Sequence, residues 1–270
     1  MPVHETLRSR ANPLFKRLRT LKEKGAASGL CLIEGPKLAL EATLAGLTLV
    51  EAAASPRAAA TPTGARALEA LRERGVPVRR MAEELVASLS EAETSQGLVA
   101  LAKRPVFEIE RVLRGIPLVL VVDGVQNPGN LGALLRSAEA AGATGALLSS
   151  GCADPLSWKA LRGSMGSAFR LPHVRGLDIE AALETLAARG IRILATASDG
   201  ERRYDEVDLR GPVAIVMGRE AGGLSPAVKQ RAAARLRIPL QAPVESLNVA
   251  VAAALVLYEA RRQRGFAEPH

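Results

Sequence analysis

Apolar and polar positions along this chain change period several times, and each change marks an element. Over residues 5–24, Leu14, Leu18 and Leu21 fall three or four apart among basic residues, which predicts a basic amphipathic helix. LCLIEG (30–35) predicts a strand, and PKLALEATLAG a helix opened by proline and closed by glycine. LTLVEAA is a second strand and TPTGARALEALRERG a second helix; VPVRR, MAEELVASLS and TSQGLVALA continue the alternation to about residue 102. From Leu118 the strands become continuous apolar runs: LVLVVD, GALLSS, IRILATA and VAIVMG. Uninterrupted Val/Ile/Leu strands with helices between them are what a parallel sheet covered on both faces requires. Near the C-terminus, residues 249–258 are apolar all round, so that helix is expected to be buried, in the core or across a dimer interface. The pattern predicts an α/β chain of two domains, 1–104 and 118–270, joined by a charged, proline-bounded linker at 105–117.

Composition narrows the class. No apolar run reaches the roughly 20 residues that span a bilayer, and MPVHETLRSRANPLF has no secretory core, so a cytoplasmic protein without membrane contact is expected. Two cysteines (Cys31, Cys152) and three scattered histidines argue against a disulfide framework or a metal site; both cysteines read as small buried residues. The net charge of +8 points to a polyanionic partner. With seven aromatics in the whole chain, phosphate contacts rather than base stacking should dominate.

Three segments concentrate polar groups of the kind that do chemistry. In VVDGVQNPGNLGALLRSAEAAG, a buried strand runs through a loop into a helix predicted over 131–141, with Asn127 and Asn130 at the sheet edge where α/β proteins bind ligands. Arg136 lies two turns along that helix. The plain alternative is that the asparagines cap the helix and Arg136 is a surface charge. IVMGREAGGLS is a strand leading into glycines, with Glu220 the acid of the loop; it lacks the GxGxxG order of a dinucleotide site. Ile238-Pro239-Leu240 leads through a short loop into the long helix, entered at Glu245-Ser246-Leu247-Asn248, where Ser246 and Asn248 are also residue types that cap helices.

In this order, the three segments resemble the signature motifs of the SpoU (TrmH-like) family, S-adenosylmethionine-dependent RNA ribose 2′-O-methyltransferases of the SPOUT superfamily. The first motif matches Asn127, Gly129, Asn130, Gly132 and Arg136; the second matches Gly218, Glu220 and Gly223; the third matches Ser246 and Asn248. Asn12-Pro13, Lys16, LIEGPKLALEA and SQGLVA resemble the N-terminal RNA-binding domain of many such enzymes, a small α/β domain of the ribosomal-protein-L30-like kind. One departure is GAASG (25–29), where relatives often carry a basic or aromatic loop.

The resemblance implies a C-terminal parallel-sheet SPOUT domain with a deep trefoil knot. It implies Arg136, Asn127, Glu220, Ser246 and Asn248 as the catalytic group, and S-adenosylmethionine held around Thr196, Met217, Gly218, Ile238, Leu240 and Leu247. RNA would meet Arg8, Arg10, Lys16, Arg17, Arg19 and Lys22. It also implies a homodimer through the C-terminal domain and no metal. A guanidinium stays protonated at ordinary pH, so Arg136 fits an electrostatic clamp on phosphate and developing alkoxide better than a base. The N-terminal domain favours 23S rRNA as substrate; a tRNA ribose methyltransferase and a non-catalytic RNA-binding ribosome-assembly factor stay open as alternatives. A nicotinamide-dependent oxidoreductase lacks its glycine fingerprint here.

Overall fold

The computed structural model describes residues 6–24, 29–91, 93–219 and 222–266. The GAASG loop falls, apart from Gly29, outside the described residues, and so does Glu220. In chain order the first elements are α1 (Pro13–Lys24), β1 (Leu30–Glu34), α2 (Pro36–Leu44), β2 (Leu49–Ala54), α3 (Pro56–Ala59), α4 (Pro62–Glu73), β3 (Val78–Arg80), α5 (Glu83–Leu89) and β4 (Leu98–Lys103). Then come α6 (Ile109–Val112), β5 (Leu118–Val122), α7 (Pro128–Ala140), β6 (Gly145–Ser149), α8 (Trp158–Ser164), α9 (Ser167–Arg170), β7 (His173–Leu177) and α10 (Ile179–Ala188). The remainder is β8 (Arg192–Thr196), β9 (Arg202–Arg203), a 3-10 turn (Tyr204–Glu206), β10 (Val213–Met217), α11 (Pro226–Arg231), β11 (Ala234–Arg237) and α12 (Val249–Gln263).

Contacts divide the chain into two units, Met1–Pro105 with Leu156–Phe169, and Val106–Pro155 with Arg170–His270. The first holds a four-stranded sheet of order β1-β4-β2-β3, in which β1 and β2 run antiparallel to β4 and β3 runs parallel to β2. Phe15 and Leu18 of α1 pack with Leu85, Val86 and Leu89 of α5 over Val99 and Leu101. The helix expected over 5–24 begins only at Pro13. Asn12 Oδ1 accepts from the Leu14 amide at 2.9 Å, and proline at the first position fixes the start. Arg8 and Arg10 therefore precede the helix, on a segment held to β3 where the Leu7 amide donates to Arg80 O at 2.9 Å.

The second unit is built on a seven-stranded sheet of order β7-β6-β5-β10-β8-β11-β9, parallel throughout. Val119, Val121, Ala214 and Val216 bury one face under Leu183 and Leu186 of α10 and Val228 of α11. The stretch expected as a linker is different in kind: its α6 buries Val112 completely in this same core, with Ile109 and Leu113 packed beside it. On the other face α12 packs on α7 and β10. Its C-terminus is tied down by Arg264, whose Nε donates to Leu209 O at 2.9 Å and Nη1 to Ile116 O at 3.0 Å. Arg264 Nη2 donates to Pro117 O at 3.0 Å and Gly211 O at 2.6 Å. Burial pushes this guanidinium's pKa down, and four carbonyls hold it in place of a carboxylate. Gln263 adds bonds from its amide to Val207 O and from the Leu209 amide to its own oxygen. Only one side of α12 is buried, through Ala250, Ala253, Val256, Leu257 and Ala260; Val251, Leu255 and Tyr258 are exposed, contrary to burial all round within the chain.

Candidate active site

Four parallel strands, β5, β10, β8 and β11, end along one edge of the second unit's sheet, and the segments that leave three of them enclose a cavity of about 580 Å³. Its wall includes Thr196, Met217, Gly218, Ile238, Leu240 and Leu247, all six positions expected to hold the cofactor, with Ser246, Asn248 and Asn130. The loop after β8 is fixed by β11: Arg235 pairs with Asp199 and Glu201 at 3.2 and 3.1 Å, and Arg237 donates to Gly200 O at 3.0 Å. Arg235 acts mainly through its backbone amide, the largest cause of the lowered Glu201 pKa, and then through its side chain. The loop after β10 turns back on itself, with the Arg219 amide donating to Gly223 O at 3.0 Å. A Cβ on Gly218 would lie 2.7 Å from that same oxygen, so the turn closes only around glycine.

The asparagines both cap helices and meet. Asn127 caps α7, its Oδ1 accepting from the Gly129 and Asn130 amides at 2.9 and 3.2 Å. The helix thus starts at Pro128 rather than 131, and the side chain of Asn127 is engaged in capping and does not line the cavity. Asn248 caps α12, accepting from Ala250 and Val251 at 2.9 and 3.4 Å, so that helix opens at Val249, after the Glu245–Asn248 entry. The Asn248 Nδ2 also donates to Asn130 Oδ1 at 3.0 Å, joining two segments 118 residues apart. Asn130, quoted in the first motif but outside the expected catalytic group, is therefore a site residue; so by position are Ser198 and Arg219.

Arg136 is exposed on α7, outside the cavity lining, and makes no hydrogen bond or ion pair with any described residue. Side chains on a helix lean toward its N-terminus, so the free guanidinium is inclined toward the end of α7 that carries Asn127 and Asn130. Thr196 is committed internally, its hydroxyl lying 3.1 Å from Val216 O and 3.2 Å from Met217 Sδ. Cys152 is only partly buried, its thiol donating to Val122 O at 3.2 Å. Among the described residues no cluster of His, Cys, Asp or Glu is arranged to hold a metal, and no helix is long and apolar enough to cross a membrane.

The basic residues of the first unit differ in availability. Arg17 pairs with Glu51 at 2.7 Å, and Lys22 donates to Ser90 O at 3.0 Å and Ser88 O at 3.3 Å. Arg8, Arg10 and Lys16 are exposed without a partner among the described residues, and Arg19 is exposed as well.

The cavity suits a nucleoside-bearing cofactor. Leu236, Ile238, Leu240 and Leu247 offer apolar contact for a flat base, and Asn130, Ser198, Ser246 and Asn248 are polar residue types suited to a ribose. Its volume is within the roughly 300–1,000 Å³ usual for small-ligand sites.

Comparison with known proteins accords with this geometry. The model of the SpoU rRNA methylase family matches residues 117–258, and that of the MRM3-like substrate-binding domain matches residues 12–100. The chain is 35% identical over 189 residues to the 23S rRNA (guanosine(2553)-2′-O)-methyltransferase RlmP of Bacillus subtilis, covering 70% of this chain and 74% of that one. A crystal structure of an RNA 2′-O ribose methyltransferase superposes with a TM-score of 0.82 at 36% identity, covering 96% of this chain and 99% of that one. The SpoU methyltransferase AviRb from Streptomyces viridochromogenes, solved with AdoMet, superposes with a TM-score of 0.83 at 29% identity over 94% of this chain and 98% of its own.

Proposed function

Because this chain belongs to the SpoU rRNA methylase family, we propose that it methylates a ribose 2′-hydroxyl of 23S rRNA with S-adenosylmethionine as donor. The observation that supports this most is the gathering of the six expected cofactor positions, Ser246 and the Asn130–Asn248 pair around one cavity at the sheet edge. When held by Thr196, Met217, Gly218, Ile238, Leu240 and Leu247, the cofactor would supply an electrophilic methyl on a sulfonium to the ribose 2′-oxygen, with the thioether released and the hydroxyl proton lost to solvent. The residues of this chain have the tasks of placement and charge. Apolar side chains at Ile238, Leu240 and Leu247 hold the base and exclude water. Asn130, Ser246 and Asn248 orient the ribose at the mouth of the cavity, and alignment of this kind can supply roughly 7–11 kcal/mol of the barrier. Arg136, with no partner among the described residues, grips the adjoining phosphate and stabilises the developing alkoxide. Glu220 joins this group by resemblance alone.

The same reading places RNA phosphates on Arg8, Arg10, Lys16 and Arg19, leaving Arg17 and Lys22 as structural cations. It retains 1–104 and 118–270 as the two domains, with α6 of the intervening stretch packed into the second, a cytoplasmic location, and a trefoil knot in the second domain. The knot is supported by a strand order in which β10 enters between β5 and β8, and β11 between β8 and β9. It also assigns the exposed groove of about 650 Å³ lined by Val251, Leu255, Tyr258 and Phe266 to a second copy of the chain. An apolar strip of this sort on a surface helix marks an interaction face.

The direct test is transfer of labelled methyl from S-adenosylmethionine to total RNA from cells lacking the enzyme, followed by nuclease digestion and mass spectrometry. A new 2′-O-methylnucleotide within 23S rRNA is expected. Methyl on a base, on tRNA alone or on no RNA would overturn the assignment.

A further inference from the structure

Among the described residues lining the cavity one is of a charged type, Arg219, and none carries a carboxylate. Its guanidinium makes no hydrogen bond or ion pair with any described residue. The position is nevertheless built. The backbone of Arg219 is pinned by the bond from its amide to Gly223 O. Its side chain lies across Gly124, the residue that follows Asp123 at the end of β5. A Cβ on Gly124 would come within 2.8 Å of Arg219 Nε and 2.9 Å of Cγ, and Gly124 has a φ of +72°. Glycine at 124 thus leaves the channel in which the arginine lies. A guanidinium without a partner among the described residues, on a described wall that is otherwise neutral, is half of an ion pair, and the complement we assign it is an anion that enters with the ligand.

We propose that Arg219 binds the amino-acid carboxylate of the cofactor and so fixes which way the methionyl arm points. The inference rests on the cofactor reading above. The carboxylate is the only anionic group of S-adenosylmethionine, and no other cation in the described lining meets it. A planar fork of donors matches a carboxylate two bonds at a time, which a lysine cannot reproduce. A phosphate of the RNA offers the same oxyanion chemistry, and the test separates the two.

Binding is measured by calorimetry on the full chain with two probes: S-adenosylhomocysteine, which has the carboxylate, and 5′-methylthioadenosine, which keeps the thioether nucleoside and lacks it. Arg219→Gln is expected to weaken S-adenosylhomocysteine roughly 10- to 100-fold and to leave 5′-methylthioadenosine within about twofold, with Arg219→Lys falling between. Equal weakening of both probes in both variants means that Arg219 shapes the loop, and overturns the proposal. Unchanged binding of both probes, with lower RNA affinity and a shallower salt dependence, assigns the guanidinium to a substrate phosphate and also overturns it. Failure of the unsubstituted protein to bind either probe removes the cofactor reading itself, a result separate from either of these.

Discussion

Asn248 performs two tasks with one carboxamide, and substitution can separate them. Its oxygen caps α12 through the Ala250 and Val251 amides, while its nitrogen donates to Asn130 at 3.0 Å. Asn248→Ala removes both. Loss of a helix cap costs about 1 kcal/mol, and the solvent-exposed bridge adds about 0.5–1 kcal/mol. Together these should lower the melting temperature by roughly 3–8 °C for a unit of this size. Asn248→Asp keeps the capping oxygen and places its charge where the helix dipole favours it, but presents an acceptor to the Asn130 acceptor. That variant should melt within about 2 °C of the unsubstituted protein and still lose methyl transfer. A double-mutant cycle with Asn130→Ala should yield a coupling of about 0.5–1 kcal/mol. If Asn248→Asp melts as low as Asn248→Ala, the capping argument is wrong; a coupling of zero would refute the bridge.

Other expectations follow from single contacts. Arg264→Ala strips four carbonyls of their shared donor and should destabilise the protein by about 2–3 kcal/mol in urea unfolding, with Arg264→Lys recovering only part; an unchanged midpoint would contradict the clamp. Arg136→Ala should cut methyl transfer by on the order of 10²–10³-fold with the affinity for S-adenosylhomocysteine intact; retained turnover would remove Arg136 from the chemistry. The dimer proposed above should dissociate to a monomer in sedimentation on Leu255→Asp, since this residue lines the exposed groove; an unsubstituted protein that sediments as a monomer, or an unaltered coefficient in the variant, would refute that assignment of the groove. Asp208 is held down to about 2 from 3.8, first by the Arg210 side chain and then by the Arg210 amide. A depressed carboxylate stabilises above its ordinary pKa and loses that contribution as pH falls through the folded value. Asp208→Asn should therefore flatten the stability curve across that acid window, and an unchanged curve would deny the pair a role.

The central strands were legible because they are continuous apolar runs, and the edge strands were not. β7 reads HVRGL and β9 is two arginines, because an edge position leaves side chains free to be charged, and β11, next to the edge and covered on its outer side only by two-residue β9, reads ARLR. Arg235 on β11 is there to anchor the loop after β8, which hides the strand behind polar residues. The charges of the 105–117 stretch hide α6, although Ile109, Val112 and Leu113 carry helical spacing inside it. At the site, the glycines and asparagines declared themselves by type and place. What they do to one another did not: the Asn130–Asn248 bond spans 118 residues. Asn127 shows the opposite limit, since its residue type suits both capping and catalysis and its side chain is engaged in capping.

The order β5-β10-β8 also bears on how the protein matures. β5 and β8 never touch; residues 213–217 lie between them and supply the ladder to both. A nascent chain that has completed residues 118–196 therefore possesses the ends of two strands that will frame the cavity, yet nothing joins them. Pairing waits for a distant segment, the kind of non-local closure that slows folding and leaves apolar strands uncovered meanwhile. Sheet closure precedes a complete cavity, whose wall also needs residues 236–252, so a partly made copy has no competent pocket with which to sequester the methyl donor.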